Sequence, residues 1–257
     1  MPRLGGPTRI RTTGLSLTTV RRHVRQALER ARVLPPAVYP GDYLQKPFTR
    51  ALRGLRVESI FEFGAADGSD TLRLRDHFGA TVHAFECNPE VLPALRERLK
   101  GQPGAHLIER AVWDEDGRIP FFPVVGAEQD GRPLSNPGAS SCFRAVRGYH
   151  QTYEQIEIEV EALRLDTYCE RAGVAPPDLL CIDAQGAALR GLRGLGRHIE
   201  AVRAVIIELE HREIFIGQDL YPAVDGFLRQ AGFRPRVVIE HDGWYNNYLY
   251  LRTGARS

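Results

Sequence analysis

The chain has 257 residues, 43% hydrophobic and 26% charged, with a formal net charge of +2; this is the make-up of a soluble globular protein of one α/β domain with additions. No segment reaches the roughly 18 apolar residues that span a bilayer, and Arg9, Arg11, Arg21 and Arg22 interrupt any signal-peptide core. Cys87, Cys142, Cys169 and Cys181 lack CxxC or metal-ligand spacing, so they read as reduced thiols of a cytoplasmic protein, two of them buried.

In chain order, residues 1–16 are rich in Gly, Thr and Arg and read as a mobile arm. From Thr18 to Arg32, Val20, Val24, Ala27, Leu28 and Ala31 fall on one helical face until Pro35-Pro36 stops the helix. Tyr39 to Tyr43 is a turn, and Pro47 opens a short helix to Leu55. Residues 1–56 carry twelve Lys/Arg against Glu29 and Asp42, a net +10 that leaves −8 on the remainder. This basic segment reads as the solvated face of an N-terminal helical extension or lid, with 57–257 as the catalytic-type domain.

Val57 to Phe63 is an apolar strand that runs into Gly64-Ala65-Ala66-Asp67-Gly68, and a helix follows to Phe78. A second strand, Thr81 to Phe85, ends on Glu86. A glycine turn after one strand and an acid at the tip of the next is how an α/β sheet holds an adenosine-containing cofactor, because the acid accepts hydrogen bonds from ribose hydroxyls. The spacing Glu62-x-Gly64-x-x-x-Gly68 departs from the Gly-x-Gly-x-x-Gly of dinucleotide enzymes and points to S-adenosylmethionine. On this reading Gly64, Asp67 and Gly68 pass beneath the methionine end and Glu62 meets its amino group. Ala65 belongs to the same turn. Cys87 and Asn88 flank the adenine, and Ala111 and Val112 offer backbone or packing to its edge.

Pro89 opens a helix to Leu99, and His106 to Val112 reads as strand three. Residues 114–161 break the βα rhythm and are expected to form an irregular insertion over the carboxyl edge of the sheet. Within it, Ile119 to Val124 reads as a proline-bearing edge strand, Ser135 to Ser141 as a loop, and Gln155 to Val160 as a half-exposed strand. Regular alternation then resumes: a helix capped by Asp166 and closed by Gly173, strand four at Leu179 to Asp183, a helix over 187–198, and strand five at Ala204 to Glu210. A helix over Tyr221 to Ala231 and a terminal antiparallel hairpin, 235–240 with 247–251, complete the chain.

Transfer of a methyl group to an alcohol requires an in-line approach and removal of the acceptor's proton. Asp183, at the tip of strand four, is the first candidate to position or accept that proton. His211, just after strand five, is the second, its unperturbed pKa near 6.5 suiting the task. Asp183, Glu210 and His211 converging on a divalent cation is a further arrangement to weigh; no metal is assigned. Ser140, Ser141, Gln185 and Tyr43 are candidates for the acceptor side. Tyr39, Tyr43 and Phe48 read as an aromatic lid or as packing for the N-terminal helices, and Trp244, Tyr245 and Tyr248 as packing of the terminal hairpin.

The order Glu-Phe-Gly-Ala-Ala-Asp-Gly, Phe-Glu-Cys-Asn-Pro, Leu-Arg-Leu-Asp-Thr-Tyr and Ile-Asp-Ala-Gln-Gly-Ala-Ala-Leu resembles the FkbM-type S-adenosylmethionine-dependent methyltransferases, over Val57 to Leu251. The resemblance implies the class I methyltransferase fold, a seven-stranded, mostly parallel Rossmann-like sheet with an antiparallel terminal strand. It also implies O-methylation of a small hydroxylated acceptor such as a sugar, glycolipid or polyketide-type natural product, with S-adenosylhomocysteine as the other product. Ala66, Cys181 and Ala188 stand where the family often has Asn, Lys and Glu. Two alternatives are a nicotinamide-dependent oxidoreductase and a catalytically inactive cofactor-binding partner protein. No nucleic-acid partner is expected, since no Asn-Pro-Pro-Tyr-type motif follows strand four.

Overall fold

The computed structural model describes residues 42–241 and 243–254. The chain divides into Met1–Pro40 and Gly41–Ser257, and every statement below concerns the second unit; the helix expected over Thr18 to Arg32 and the lid residue Tyr39 lie outside the described residues. A 3₁₀ turn, Asp42–Leu44, leads into α1 (Lys46–Ala51), which carries Pro47 in its first turn. Phe48 and Leu52 are buried against Ile60, Val82 and Leu179. Apolar burial of this kind ties residues 46–52 into the core of the unit, so it begins earlier than the boundary at Val57 that the sequence suggests.

The elements that follow are β1 (Ser59–Phe63), α2 (Ser69–Phe78), β2 (Thr81–Phe85), α3 (Leu92–Leu99) and β3 (Ala105–Ile108). The insertion contributes β4 (Ala111–Val112), β5 (Gly117–Phe121), β6 (Val124–Gln129), β7 (Arg132–Leu134), β8 (Thr152–Gln155) and β9 (Ile158–Leu163). Then come α4 (Leu165–Ala172), β10 (Leu179–Ile182), α5 (Ala188–Gly194), β11 (Ala204–Glu210), α6 (Tyr221–Gln230), β12 (Phe233–Glu240) and β13 (Tyr245–Arg252).

The main sheet runs β12-β13-β11-β10-β1-β2-β3. β13 pairs antiparallel with β11 and β12, and the other pairings are parallel. This is the seven-stranded sheet expected above. β10 and β11 are almost entirely buried, as uninterrupted apolar strands covered on both faces must be. Phe61 and Phe63 turn to one face, with Leu192, Leu195 and Leu228, while Ile60 turns to the other, with Phe48 and Leu74. Strand order reverses between β1 and β10, and a crevice opens beyond the carboxyl ends of the strands at such a point.

Three expectations need correction. Strand three stops at Ile108: Glu109 and Arg110 are drawn out by Arg96 and Glu161, and Ala111–Val112 passes into a second sheet, β4-β9-β5. The expected strand 119–124 breaks at Phe122-Pro123 into β5 and β6; Pro120 sits in β5, an edge strand bonded only to β9, where a missing N–H does no harm. The N-cap of helix α4 is Arg164, not Asp166, and it makes no side-chain cap. Asp166 lies inside the first turn, accepting from Thr167 N–H at 2.7 Å and from Arg164 Nε at 2.9 Å.

Candidate functional site

A cavity occupies the crevice. The ends of β1, β2 and β10 form its floor, and residues 137–142 of the insertion form one wall. Phe63, Phe85, Val112 and Phe121 give it apolar sides; Glu86, Asn88, Asp183 and Gln185 bring polar groups to it. A mostly apolar cleft with a few placed polar groups is the usual make-up of a small-molecule site.

Glu86 is 9% exposed. One carboxylate oxygen accepts from Ala66 N–H at 2.9 Å, the other from Cys87 and Asn88 N–H at 2.8 Å each. Burial pushes its pKa up, and the three N–H bonds oppose that shift. A carboxylate has about four acceptor positions, so three internal bonds fix its orientation and leave capacity toward the cavity.

The glycine turn meets different demands from those read in the sequence. At Gly64 (φ +83°) a Cβ would stand 2.1 Å from the Asp183 carbonyl oxygen, so glycine is required for β10 to approach β1. Gly68 (φ +76°) opens α2, and its Cβ would stand 2.5 Å from Leu95 Cδ1, so glycine there serves the packing of α2 on α3. Gly64 lines the cavity, whereas Ala65, Asp67 and Gly68 do not. Ala65 is buried with Leu92 and Leu95; Asp67 pairs with Arg98 at 2.9 Å and accepts from Ser69 N–H. Those three residues shape the turn. Ala66 between them, at φ +46°, holds Glu86 and lines the cavity.

Asp183 follows β10 and accepts from Gln185 Nε2 at 2.6 Å. Gln185 is held at φ +44°. The fully buried Ser141 hydroxyl donates to the Gln185 carbonyl at 2.6 Å and accepts from Phe143 N–H. Ser140 donates to the Pro137 carbonyl at 2.7 Å and accepts from Val124 N–H and Asn88 Nδ2. Both serines line the cavity, with hydroxyls already engaged in tying the insertion to the loops after β2 and β10.

Glu62 and Tyr43 are not among the residues lining the cavity. Glu62 is 1% exposed, and burial pushes its pKa up to about 8 against a 2.5 Å bond donated by the Thr71 hydroxyl. The Tyr43 hydroxyl is buried and has no hydrogen-bond partner among the described residues. Burial raises its pKa well above the usual range, and the charges of Asp183 and Glu62 add to the shift. Glu210, at the end of β11, is 3% exposed and pushed up to about 8 by burial, with the charge of Asp183 adding to the shift.

His211 stands apart from the cavity, exposed and stacked on Tyr221 at 4.9 Å. His241 N–H donates to Asn246 Oδ1, so Asn246 Nδ2 donates to His211 Nε2 at 3.1 Å, with the Tyr248 hydroxyl at 2.8 Å. His211 is therefore held by the terminal hairpin through Nε2 and is not among the residues lining the cavity. Among the described residues no three His, Cys, Asp or Glu groups are placed to hold a metal ion, so the convergence of Asp183, Glu210 and His211 is not formed. Tyr245 stacks on His241 within the hairpin as expected, whereas Tyr248 stacks on Tyr221 of α6 at 5.0 Å and Trp244 reaches out to Tyr149 of the insertion, edge-on at 4.9 Å.

The sequence reading missed Ala66, Arg110, Phe121 and Cys142 as lining residues. Ala66 and Cys142 adjoin residues it had singled out. Arg110 and Phe121 arrive through the pairing of β4 and β5 with β9, which no local pattern announces.

Residues 62–235 match the family model of the methyltransferase FkbM domain. A "2-O-methyltransferase NoeI" of Sinorhizobium fredii is 30% identical over 164 residues, 62% of this chain and 66% of that protein, just under two thirds of its length. A "31-O-demethyl-FK506 methyltransferase FkbM" of Streptomyces tacrolimicus is 28% identical over 77% of this chain and 80% of its own. Among solved structures, magnesium protoporphyrin IX methyltransferase of Synechocystis PCC 6803 with bound SAM superposes with a TM-score of 0.45 at 9% identity, over 96% of this chain and 87% of that one.

Proposed function

The chain belongs to the FkbM methyltransferase family, and from that premise we propose that it binds S-adenosylmethionine in the cavity and methylates a hydroxyl of a small acceptor. The observation that carries the reading is Glu86: a buried carboxylate, oriented by three backbone N–H groups, at the rim of an apolar slot. Such a group suits a ribose diol, with the slot formed by Phe85, Val112 and Phe121 suiting an adenine. Cys87, Asn88 and Ala111 flank that end. Glu62 and the Tyr43 hydroxyl, which has no hydrogen-bond partner among the described residues, lie outside the cavity lining.

S-Adenosylmethionine, when bound, supplies an electrophilic methyl group on a sulfonium. The chain has to hold the acceptor in line, exclude water and remove a proton. Asp183 carries the last role: it lines the cavity, and Gln185 fixes one of its oxygens. Glu210, held neutral near pH 7 by burial beside Asp183, lets the latter keep its charge without a second carboxylate charge next to it. Hydroxyl methylation is supported by relatives named as a 2-O-methyltransferase and as a 31-O-demethyl-FK506 methyltransferase.

The test is isotopic methyl transfer from labelled S-adenosylmethionine to a panel of hydroxylated acceptors, with thermal shift by S-adenosylhomocysteine and NADH beside it. Asp183→Asn is expected to lower kcat by about 10²-fold or more and to leave S-adenosylhomocysteine binding within a few-fold. Stabilisation by NADH alone would overturn the reading.

A further inference from the structure

Two of the four cysteines line the same cavity and pack against the same apolar cluster. Cys87 follows Glu86 at the tip of β2, Cys142 follows Ser141 in the insertion, and both line the cavity. Both are partly exposed free thiols, whereas Cys169 and Cys181 are buried. The two pack on one small apolar cluster, Ala111, Phe121, Val160 and Ala162. Their loops are already fastened to each other, since Asn88 Nδ2 donates to Ser140 Oγ at 3.1 Å. The neighbouring Cys142 thiol is the first cause of the raised pKa of the Cys87 thiol, and burial adds to it.

We infer that Cys87 and Cys142 are a paired thiol modification site, and that their oxidation to a disulfide closes the adenosine end of the cavity against the cofactor. The second half of this inference rests on the cofactor reading above. The neighbouring Cys142 thiol and burial raise the Cys87 pKa, which makes Cys87 the resolving sulfur. With a peroxide as the two-electron oxidant, the Cys142 thiolate takes one oxygen and releases water, forming a sulfenic acid. The Cys87 sulfur then displaces that oxygen as a second water. Two thiols and one hydrogen peroxide thus become one disulfide and two waters. The bond would draw the insertion wall onto the loop after Glu86, and a thiol reductant would reopen it. Bound cofactor would stand between the sulfurs and the oxidant.

The experiment treats the full chain with hydrogen peroxide, maps its peptides without reduction, and titrates S-adenosylhomocysteine into reduced, oxidised and re-reduced protein. The expected result is a linked Cys87–Cys142 peptide, a tenfold or greater loss of affinity that dithiothreitol reverses, and slower linkage when S-adenosylhomocysteine is bound beforehand. Cys142→Ser and Cys142→Ala, each compared with its own untreated form, are expected to lose the peroxide sensitivity. Absence of the linked peptide, or a linked protein that binds as tightly as the reduced one, would overturn the inference. Failure of the reduced protein to bind S-adenosylhomocysteine would instead overturn the cofactor reading and, with it, the switch, while the peptide map would still decide whether the thiols pair.

Discussion

Gly64, Ala66 and Glu86 show how a short turn fixes a site. Glycine at 64 is required because the Asp183 carbonyl occupies the space of a side chain, so Gly64→Ala is expected to cost more than about 2 kcal/mol of stability. Ala66 is a non-glycine residue at φ +46°. Left-handed backbone costs such a residue about 1 kcal/mol, partly offset in glycine by the larger entropy of its unfolded chain. Ala66→Gly is therefore expected to leave stability unchanged or raise it by up to about 0.5 kcal/mol, and Ala66→Val to lower it by about 1–2 kcal/mol. Chemical denaturation of the three variants measures these differences; an Ala66→Val protein as stable as the parent would show that the turn is not held as described.

Glu62 gives the chain a pH dependence of definite sign. Its carboxyl is pushed from 4.5 to about 8 by burial, so between those values the folded protein holds a proton that the unfolded chain has released. The stabilisation is fully present below the unfolded value and is lost as pH rises through about 8. Glu210 adds a second loss over the same window. The melting temperature is expected to fall from pH 5 to pH 8.5, and Glu62→Gln to flatten that fall and melt higher than the parent at pH 8.5. Parallel pH profiles for the two proteins would show that Glu62 is charged throughout.

At the scale of elements, the first half of the sheet was legible because its signals are local. β1, its turn and the acid after β2 lie within some two dozen residues, and the apolar runs of β10 and β11 speak for burial on both faces. The insertion was not legible in the same way. β4 and β5 pair with β9, and β6 with β8, across tens of residues, so the strand breaks at Pro123 and at Ile156-Glu157 depend on partners that no window contains. The surroundings of His211 were hidden for a related reason: pairing of β11 with β13 brings Tyr248 and Asn246 to its ring. The insertion's hold on the site is Ser141, whose hydroxyl reaches Gln185. Ser141→Ala is expected to cost about 1 kcal/mol and to raise the acceptor KM more than it lowers kcat. An unchanged KM would separate the insertion from acceptor binding.

At the scale of the whole molecule, the topology places Gly64, Glu86 and Asp183 at the carboxyl edge of one sheet. The reversal of strand order at β1 and β10 sets Glu86 on one side of the crevice and Asp183 on the other. The insertion covers the gap with residues 137–142. A cofactor held by the β2 side would thus present its reacting end to β10, and the acceptor would enter past the insertion. The most direct test of this account is calorimetric titration of S-adenosylhomocysteine into the parent protein and Glu86→Ala. The account predicts saturable one-to-one binding by the parent and at least tenfold weaker binding by a folded Glu86→Ala. Equal affinity in the two, or no binding by the parent, would contradict it.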